Sequence, residues 1–119
     1  EPELRFGDEI RAPDLAGWRI ERHEEPADNP IELVPYWICE VLSPTTARID
    51  RAEKMPLYAE HGVDYLWIVD PNMETLEAYR REGNVWIVSS THGADDQASP
   101  EPFGELPFDM AALWRVPRR

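Results

Sequence analysis

Two long apolar runs dominate the middle of the chain, one at residues 36–42 and the other at residues 64–70. The first, YWICEVL, holds a single charged residue, Glu40, and the second, DYLWIVD, is charged only at its ends. Short, nearly continuous apolar runs are typical of central strands that are covered on both faces. Pro44 and Pro71 follow the two runs and mark their ends. The pattern predicts two strands at the centre of a sheet.

The segment between these runs predicts a helix over residues 47–61, which ends before Gly62 at the C′ position. Asp50 and Glu53 have the spacing of a capping box. Pro56 is unfavourable inside a helix, because an interior proline removes a hydrogen bond and costs about 3 kcal/mol. The helix therefore either kinks at Pro56 or begins near it. Strand, helix and strand together predict a right-handed crossover in a mixed sheet.

The flanking segments carry shorter signals, which complete the predicted order β-β-β-α-β-β-β-α. Alternation and turn residues assign two short strands or a hairpin to residues 8–22, an exposed loop to 23–34, antiparallel strands to 75–81 and 85–90, a loop to 91–104, and a short final helix from a cap at Asp109 to Trp114. The predicted fold class is therefore α/β, of the α+β kind. A chain of 119 residues suits one domain, residues 1–119.

Composition narrows the classes of function. The chain is 42% hydrophobic and 30% charged, which is ordinary for a soluble globular protein, and no apolar run approaches the roughly 20 residues of a membrane span. Cys39 is the only cysteine, so no internal disulfide forms and a cytoplasmic location is expected. The net charge of −12 weighs against nucleic-acid binding, because an acidic surface repels phosphate. A bound metal ion would reverse the local sign.

Glu40 carries the strongest chemical signal, because a carboxylate inside so apolar a strand is costly unless it is paired or binds a metal. The alternative is a structural ion pair with an arginine such as Arg48. Asp14 follows Pro13 at the end of a short strand and is a weak signal alone. If Asp14 faces Glu40, the two carboxylates together with water could hold Mg²⁺.

Lys54 is the only lysine among 12 basic residues. On the first turns of the predicted helix it could reach back to the end of the Glu40 strand and assist an attacking water or steady phosphate charge. The alternative is an ordinary i,i+4 partner of Asp50 on a solvated face. Arg48 and Arg51 flank the same turn and could contact phosphate, although surface solubility explains them as well.

These residues fit a known pattern. Three segments resemble the Uma-type restriction endonucleases of the PD-(D/E)XK superfamily: Glu40-Val41-Leu42-Ser43-Pro44, then Asp50, Lys54, Tyr58-Ala59 and Gly62-Val63, then Trp67-Ile68-Val69-Asp70-Pro71. The upstream Pro13-Asp14 and the closing Pro102-Phe103 and Leu113-Trp114 extend the resemblance from about Glu3 to Trp114. It implies a restriction-endonuclease-like mixed central sheet with a crossover helix after the Glu40 strand.

The resemblance also implies an activity and a site. Asp14 matches the first metal-binding aspartate, Glu40 the second metal-binding acid, and Lys54 the catalytic lysine, here supplied from the helix because position 42 is Leu42. The expected cofactor is Mg²⁺ or Mn²⁺ and the expected substrate is DNA, with Arg48 and Arg51 as candidate phosphate contacts. A homodimer is left open, and no membrane association is expected.

Two departures from the family pattern keep other functions open. Tyr36 stands where the family carries an aspartate before the Glu40 strand, and the family's N-terminal helical segment is expected to be missing. With the acidic charge, these departures favour a weakened nuclease fold that acts as a binding or interaction module. A third option is an unrelated acidic enzyme with a closed apolar pocket remote from Glu40.

Overall fold

A mixed five-stranded sheet forms the centre of the molecule. The computed structural model describes residues 3–6, 9–19 and 33–114, and the sheet order is β3-β4-β5-β6-β7. These strands are β3 (Leu15–Gly17), β4 (Trp37–Val41), β5 (Tyr65–Asp70), β6 (Thr75–Glu82) and β7 (Val85–Gly93). Only β4 and β5 pair in parallel, and the other neighbours are antiparallel. The predicted mixed sheet with its two central apolar strands is confirmed.

Two small hairpin-like sheets flank the central one. The first pairs β1 (Leu4–Phe6) with β2 (Glu9–Arg11), and the second pairs β8 (Gln97–Ala98) with β9 (Phe108–Asp109). The loop predicted for residues 91–104 is wrong at its start, because β7 continues to Gly93, where it pairs with Thr75. Of the loop predicted for residues 23–34, all but the last two positions lie outside the described part of the chain, as do residues 20–22 of the first hairpin segment.

The predicted crossover helix is present but irregular. It consists of α1 (Ala47–Ile49), a π-helical stretch (Asp50–Lys54) and α2 (Met55–Glu60), joined without a break. The π stretch ends where the Met55 N–H reaches the Asp50 carbonyl, one residue before Pro56. Proline lacks an amide hydrogen and collides with a preceding α-helical turn, and a wider turn just before it relieves both problems.

The cap predicted at the start of this helix differs from the structure, whereas the predicted end agrees with it. The capping box at Asp50 is wrong, because the helix begins three residues earlier and Asp50 is buried inside it. The predicted end is confirmed. Gly62 adopts a φ of 87°, and the Val63 N–H donates to the Tyr58 carbonyl, as in a Schellman motif.

The two faces of the sheet bury separate clusters. On the helix side, Ile38 and Leu42 pack with Tyr58, Leu57 and Leu66. On the other side, residues from β4, β5 and β6 pack against Met110 and the short α3 (Ala111–Trp114), whose N–H at Ala111 is capped by Asp109 as predicted. Period-two alternation puts Glu40 on the helix side with Ile38. Within the described residues, no helix is long and apolar enough to cross a membrane.

Candidate active site

Glu40 lies on β4 with its side chain under the crossover helix. Its exposed fraction is 2%, so this carboxyl group is removed from bulk water. The strand is apolar because both of its faces are covered, and at Glu40 the helix offers polar partners. The predicted cost of a carboxylate here is therefore met by specific contacts from the helix.

Two donors from the helix meet the same oxygen of Glu40. The Tyr58 hydroxyl donates to Oε2 over 2.8 Å, and Lys54 Nζ lies 3.2 Å from that oxygen. Lys54 Nζ also lies 3.2 Å from Asp50 Oδ1. The structure thus brings Glu40 and Lys54 together, as the sequence predicted, and pairs Glu40 with Lys54 instead of Arg48.

The cluster formed by Glu40, Asp50, Lys54 and Tyr58 is deeply placed. Asp50 is 3% exposed and the Lys54 side chain 18% exposed, which leaves the ammonium group partly accessible. Asp50 is indeed the i,i+4 partner of Lys54, but on a buried face, so the solvated-surface alternative does not describe this pair. The lysine lies between two carboxyl groups that water barely reaches.

Burial and charge shift the pKa values within this cluster. Burial raises the pKa of Glu40, and the Tyr58 hydrogen bond and the Lys54 charge only partly offset that effect. Burial lowers the pKa of Lys54, but the Glu40 and Asp50 carboxyl groups outweigh it, so the net direction is upward. Burial and the nearby Glu40 raise the pKa of Tyr58. Lys54 therefore stays protonated, and Tyr58 stays a hydrogen-bond donor.

Asp14 directly precedes β3, which is the neighbour of the Glu40 strand in the sheet. The register of β3 with β4 ends at Leu15, which pairs with Cys39, and Asp14 stands one residue before it. Asp14 Oδ2 accepts the backbone N–H of Val41 over 2.7 Å, which fixes the carboxyl group at the end of β3. The side chain is half-buried. Asp14 is thus held near Glu40 by a backbone contact, and its role as a metal ligand stays a prediction.

The donor set at this point suits a hard cation with few protein ligands. Among the described residues, no group of three or more His, Cys, Asp or Glu side chains could hold a metal ion by themselves. Mg²⁺ usually takes only one or two carboxylates and keeps several waters. One carboxylate oxygen of Asp14 and one of Glu40 contact donors of the protein, and the other oxygen of each has no donor among the described residues. A site for Mg²⁺ or Mn²⁺ at Asp14 and Glu40 stays a prediction.

The two candidate phosphate contacts differ in their surroundings. Arg48 is exposed on α1. Arg51 lies 3.0 Å from Glu77 on β6, a carboxylate that also accepts from the Tyr79 hydroxyl. A phosphate would have to compete with Glu77 for Arg51. Contact of either arginine with nucleic acid stays a prediction, and Arg48 is the less encumbered of the two.

Tyr36, the departure from the family pattern, lies away from the Lys54 cluster. Its ring packs edge-on against Tyr65 with centroids 5.1 Å apart, and the Arg19 guanidinium lies 4.4 Å from its centroid. Four residues along an extended strand separate Tyr36 from Glu40 by about 13 Å. Tyr36 therefore belongs to a local aromatic and cationic stack, and the contacts around Glu40 do not depend on it.

Two members of the cluster were not predicted as site residues. Asp50 appeared as a helix cap, as an alternative partner for Lys54 and in the family resemblance, and Tyr58 only in the family resemblance. The available signal was their spacing, because Asp50, Lys54 and Tyr58 stand four residues apart in turn. In a regular helix that spacing drifts around the axis, so it did not single out one common face.

Comparisons with known proteins identify the family and a similar fold. The sequence model of the family described as "Uma2: Putative restriction endonuclease" matches residues 1–111. Among solved structures, one described as a putative nuclease belonging to DUF820, from Anabaena variabilis, is similar with a TM-score of 0.70 and 26% identity. The match covers 94% of this chain but 64% of that one, so this chain spans less than two thirds of the neighbour's length. No curated protein matches the chain.

Proposed function

Because the chain belongs to the Uma2 family, described as putative restriction endonucleases, we propose that it is a metal-dependent endonuclease that hydrolyses DNA phosphodiester bonds. The observation that supports this most is the Lys54 ammonium group held 3.2 Å from the buried Glu40 carboxyl group. An acid on a central strand beside a lysine is an arrangement suited to charge stabilisation at phosphate. The similar fold of a protein described as a putative nuclease adds support.

In the proposed mechanism, the carboxyl groups of Asp14 and Glu40 bind the metal and Lys54 stabilises phosphate charge. Asp14 and Glu40 would hold Mg²⁺ or Mn²⁺, which when bound supplies an activated water and neutralises phosphate charge. Lys54 has three N–H donors and directs two of them at Glu40 and Asp50. The third donor is free to reach a phosphate oxygen, since the side chain is partly exposed. Lys54 thus serves as an electrostatic group, because its raised pKa keeps it protonated.

The acidic charge of the chain bears on how DNA would be bound. At a net charge of −12, long-range attraction to phosphate is weak or absent. The proposal therefore requires that metal binding precede productive DNA binding, with the exposed Arg48 near the helix start as a candidate phosphate contact. In the absence of divalent ions, the protein should bind little DNA.

The decisive experiment is a plasmid-nicking assay on the purified protein with Mg²⁺ or Mn²⁺, supported by calorimetry of Mn²⁺ binding. Glu40→Gln and Asp14→Asn should each reduce nicking by at least about 100-fold, as should Lys54→Met. Asp64→Asn, which removes an acid paired with Arg81 elsewhere, is the matched control and should retain activity. Metal-independent nicking that persists in Glu40→Gln would refute the proposal.

The second candidate function is a nuclease fold that serves as a binding module for a basic protein partner. The charge of −12 favours it, because an acidic surface suits such a partner better than DNA. A filter-binding titration separates the two functions. DNA affinity that falls steeply with salt would count against the binding module, whereas absent DNA affinity with metal bound would favour it.

A further inference from the structure

We propose that Tyr58 and Asp50 are positioning residues: Tyr58 fixes which oxygen of Glu40 faces the reaction, and Asp50 fixes the Lys54 ammonium beside it. The part of this inference that concerns cleavage rests on the proposed function. The placement of the side chains does not, because it follows from contacts within the chain itself. Neither residue is accessible enough to touch DNA, since Tyr58 is 0% and Asp50 is 3% exposed.

The first step concerns the two oxygens of Glu40. Oε2 receives both the Tyr58 hydroxyl and the Lys54 ammonium group. Within the part of the chain that the structure describes, Oε1 has no hydrogen-bond donor assigned to it. A carboxyl group with one oxygen held by two donors cannot rotate without losing both. Tyr58 and Lys54 thereby leave Oε1 as the oxygen available to a cation or a water.

The second step concerns the lysine. Its ammonium group is 3.2 Å from Glu40 and 3.2 Å from Asp50. With Glu40 alone, a long flexible side chain at 18% exposure could turn outward to water. Asp50 supplies a second anchor from the same helix, and the two carboxyl groups together define the position of the nitrogen. The remaining N–H direction is then fixed as well.

The π-helical stretch explains why these three helix residues can act together. An α-helix advances about 100° per residue, so residues eight apart lie about 80° away from each other around the axis. A π turn is wider, with roughly 4.4 residues per turn, or about 82° per residue. With the π geometry over Asp50–Lys54 and α geometry onward, Asp50 and Tyr58 come within about 10° of the same direction. The π stretch therefore aligns Asp50, Lys54 and Tyr58 towards Glu40.

The test uses two conservative variants that remove one donor or one charge. Tyr58→Phe keeps the ring packed against Phe6, and Asp50→Asn keeps the side-chain shape. Each should lower kcat for plasmid nicking by about 10- to 100-fold, the range seen when a group that orients a ligand is removed, with KM for DNA within about twofold. Tyr65→Phe and Asp64→Asn are matched controls outside the cluster and should retain kcat. Urea unfolding establishes that every variant is folded at the assay temperature.

A readout independent of activity comes from composition. Lys54 is the only lysine, so ¹⁵N-labelled lysine in protein without a lysine-containing tag gives one side-chain ammonium signal by NMR. Hydrogen exchange at that nitrogen should be about tenfold faster or more in Asp50→Asn than in the unaltered protein, because one of the two anchors is gone. The unaltered protein and Asp64→Asn should exchange alike.

The outcomes separate the positioning roles from the proposed function. If the unaltered protein nicks no DNA with either metal, the proposed function fails and the role of Tyr58 in cleavage fails with it, while the exchange rate decides whether Asp50 holds Lys54. Unchanged exchange in Asp50→Asn overturns that role. Unchanged kcat in Tyr58→Phe, alongside a Glu40→Gln variant that has lost activity, overturns the role of Tyr58. Reduced kcat with unchanged KM in both variants, and unaltered controls, supports the inference.

Discussion

Replacing Lys54 by methionine measures how much the contacts of Lys54 with Glu40 and Asp50 stabilise the fold. Methionine keeps the unbranched stem and removes the charge, which leaves Glu40 at 2% and Asp50 at 3% exposure without their shared cation. Removing one partner of a buried ion pair costs about 3–5 kcal/mol. Because the Lys54 side chain is 18% exposed, we expect the lower end, about 3 kcal/mol of unfolding free energy at pH 7.

The measurement is urea unfolding followed by tryptophan fluorescence, since the chain holds five tryptophans. The control is Arg51→Met, which removes the cation of an exposed pair with Glu77, and this change should cost less than about 1 kcal/mol. A Lys54→Met cost as small as that of the control would refute the conclusion that the cluster is buried and tightly coupled.

The pH dependence of the same variant gives a second check. Burial raises the folded-state pKa of Glu40 above its usual value of 4.5. The favourable contribution of Glu40 to the stability of the folded state is therefore full below pH 4.5 and is lost as the pH rises through the folded-state pKa. Lys54 limits that loss, because its charge lowers the pKa of Glu40. The destabilisation by Lys54→Met should accordingly be small in acid and grow towards neutral pH. A cost that is constant from pH 4 to pH 7 would show that Glu40 does not respond to the lysine.

Three further outcomes are expected. Unfolding of the unaltered protein and of Glu40→Gln should be compared across pH. The unaltered protein should lose stability relative to the variant as the pH rises from 4.5, because only the carboxyl group carries the raised pKa. Burial, with Asp14 and Glu40 nearby, raises the pKa of the Cys39 thiol to about 12, so a thiol reagent should modify Cys39 only as fast as the chain unfolds. Gly62→Ala should cost about 1 kcal/mol in urea unfolding, since φ is 87° while the space around its Cβ is open.

The parts of the fold that the sequence predicted are those in which burial and local chemistry agree. The runs at residues 36–42 and 64–70 became β4 and β5, because a strand covered on both faces has no polar side to show. Gly62 ended the helix because a positive φ favours glycine. Glu40 was identified because nothing else in its strand is charged. Each of these signals lies within a few residues of the feature it predicts.

The parts that the sequence missed depend on residues distant in the chain. β7 continues to Gly93 because β6 supplies a partner as far as Thr75, and β8 exists because residues near Phe108 return to pair with it. The residues of 91–104 are themselves rich in turn formers, so local propensity favoured a loop. Asp50 was misassigned for a similar reason. Its spacing to Glu53 fits a cap, but Asp50 lies inside the helix, where its carboxyl group contacts the partly exposed Lys54.

The charge balance around Lys54 connects the fold to the order of events at the proposed site. Glu40 and Asp50 bring two carboxyl groups to one ammonium group, and Asp14 is bound to the backbone of Val41, the residue after Glu40. A phosphate approaching such a group of charges meets more repulsion than attraction, and the acidic surface adds to it. A divalent cation, by contrast, is attracted by the same charges and then reverses the local sign. If the proposed metal site is correct, the acidic charge would favour binding of the metal before DNA, and DNA affinity measured with and without Mn²⁺ should differ accordingly.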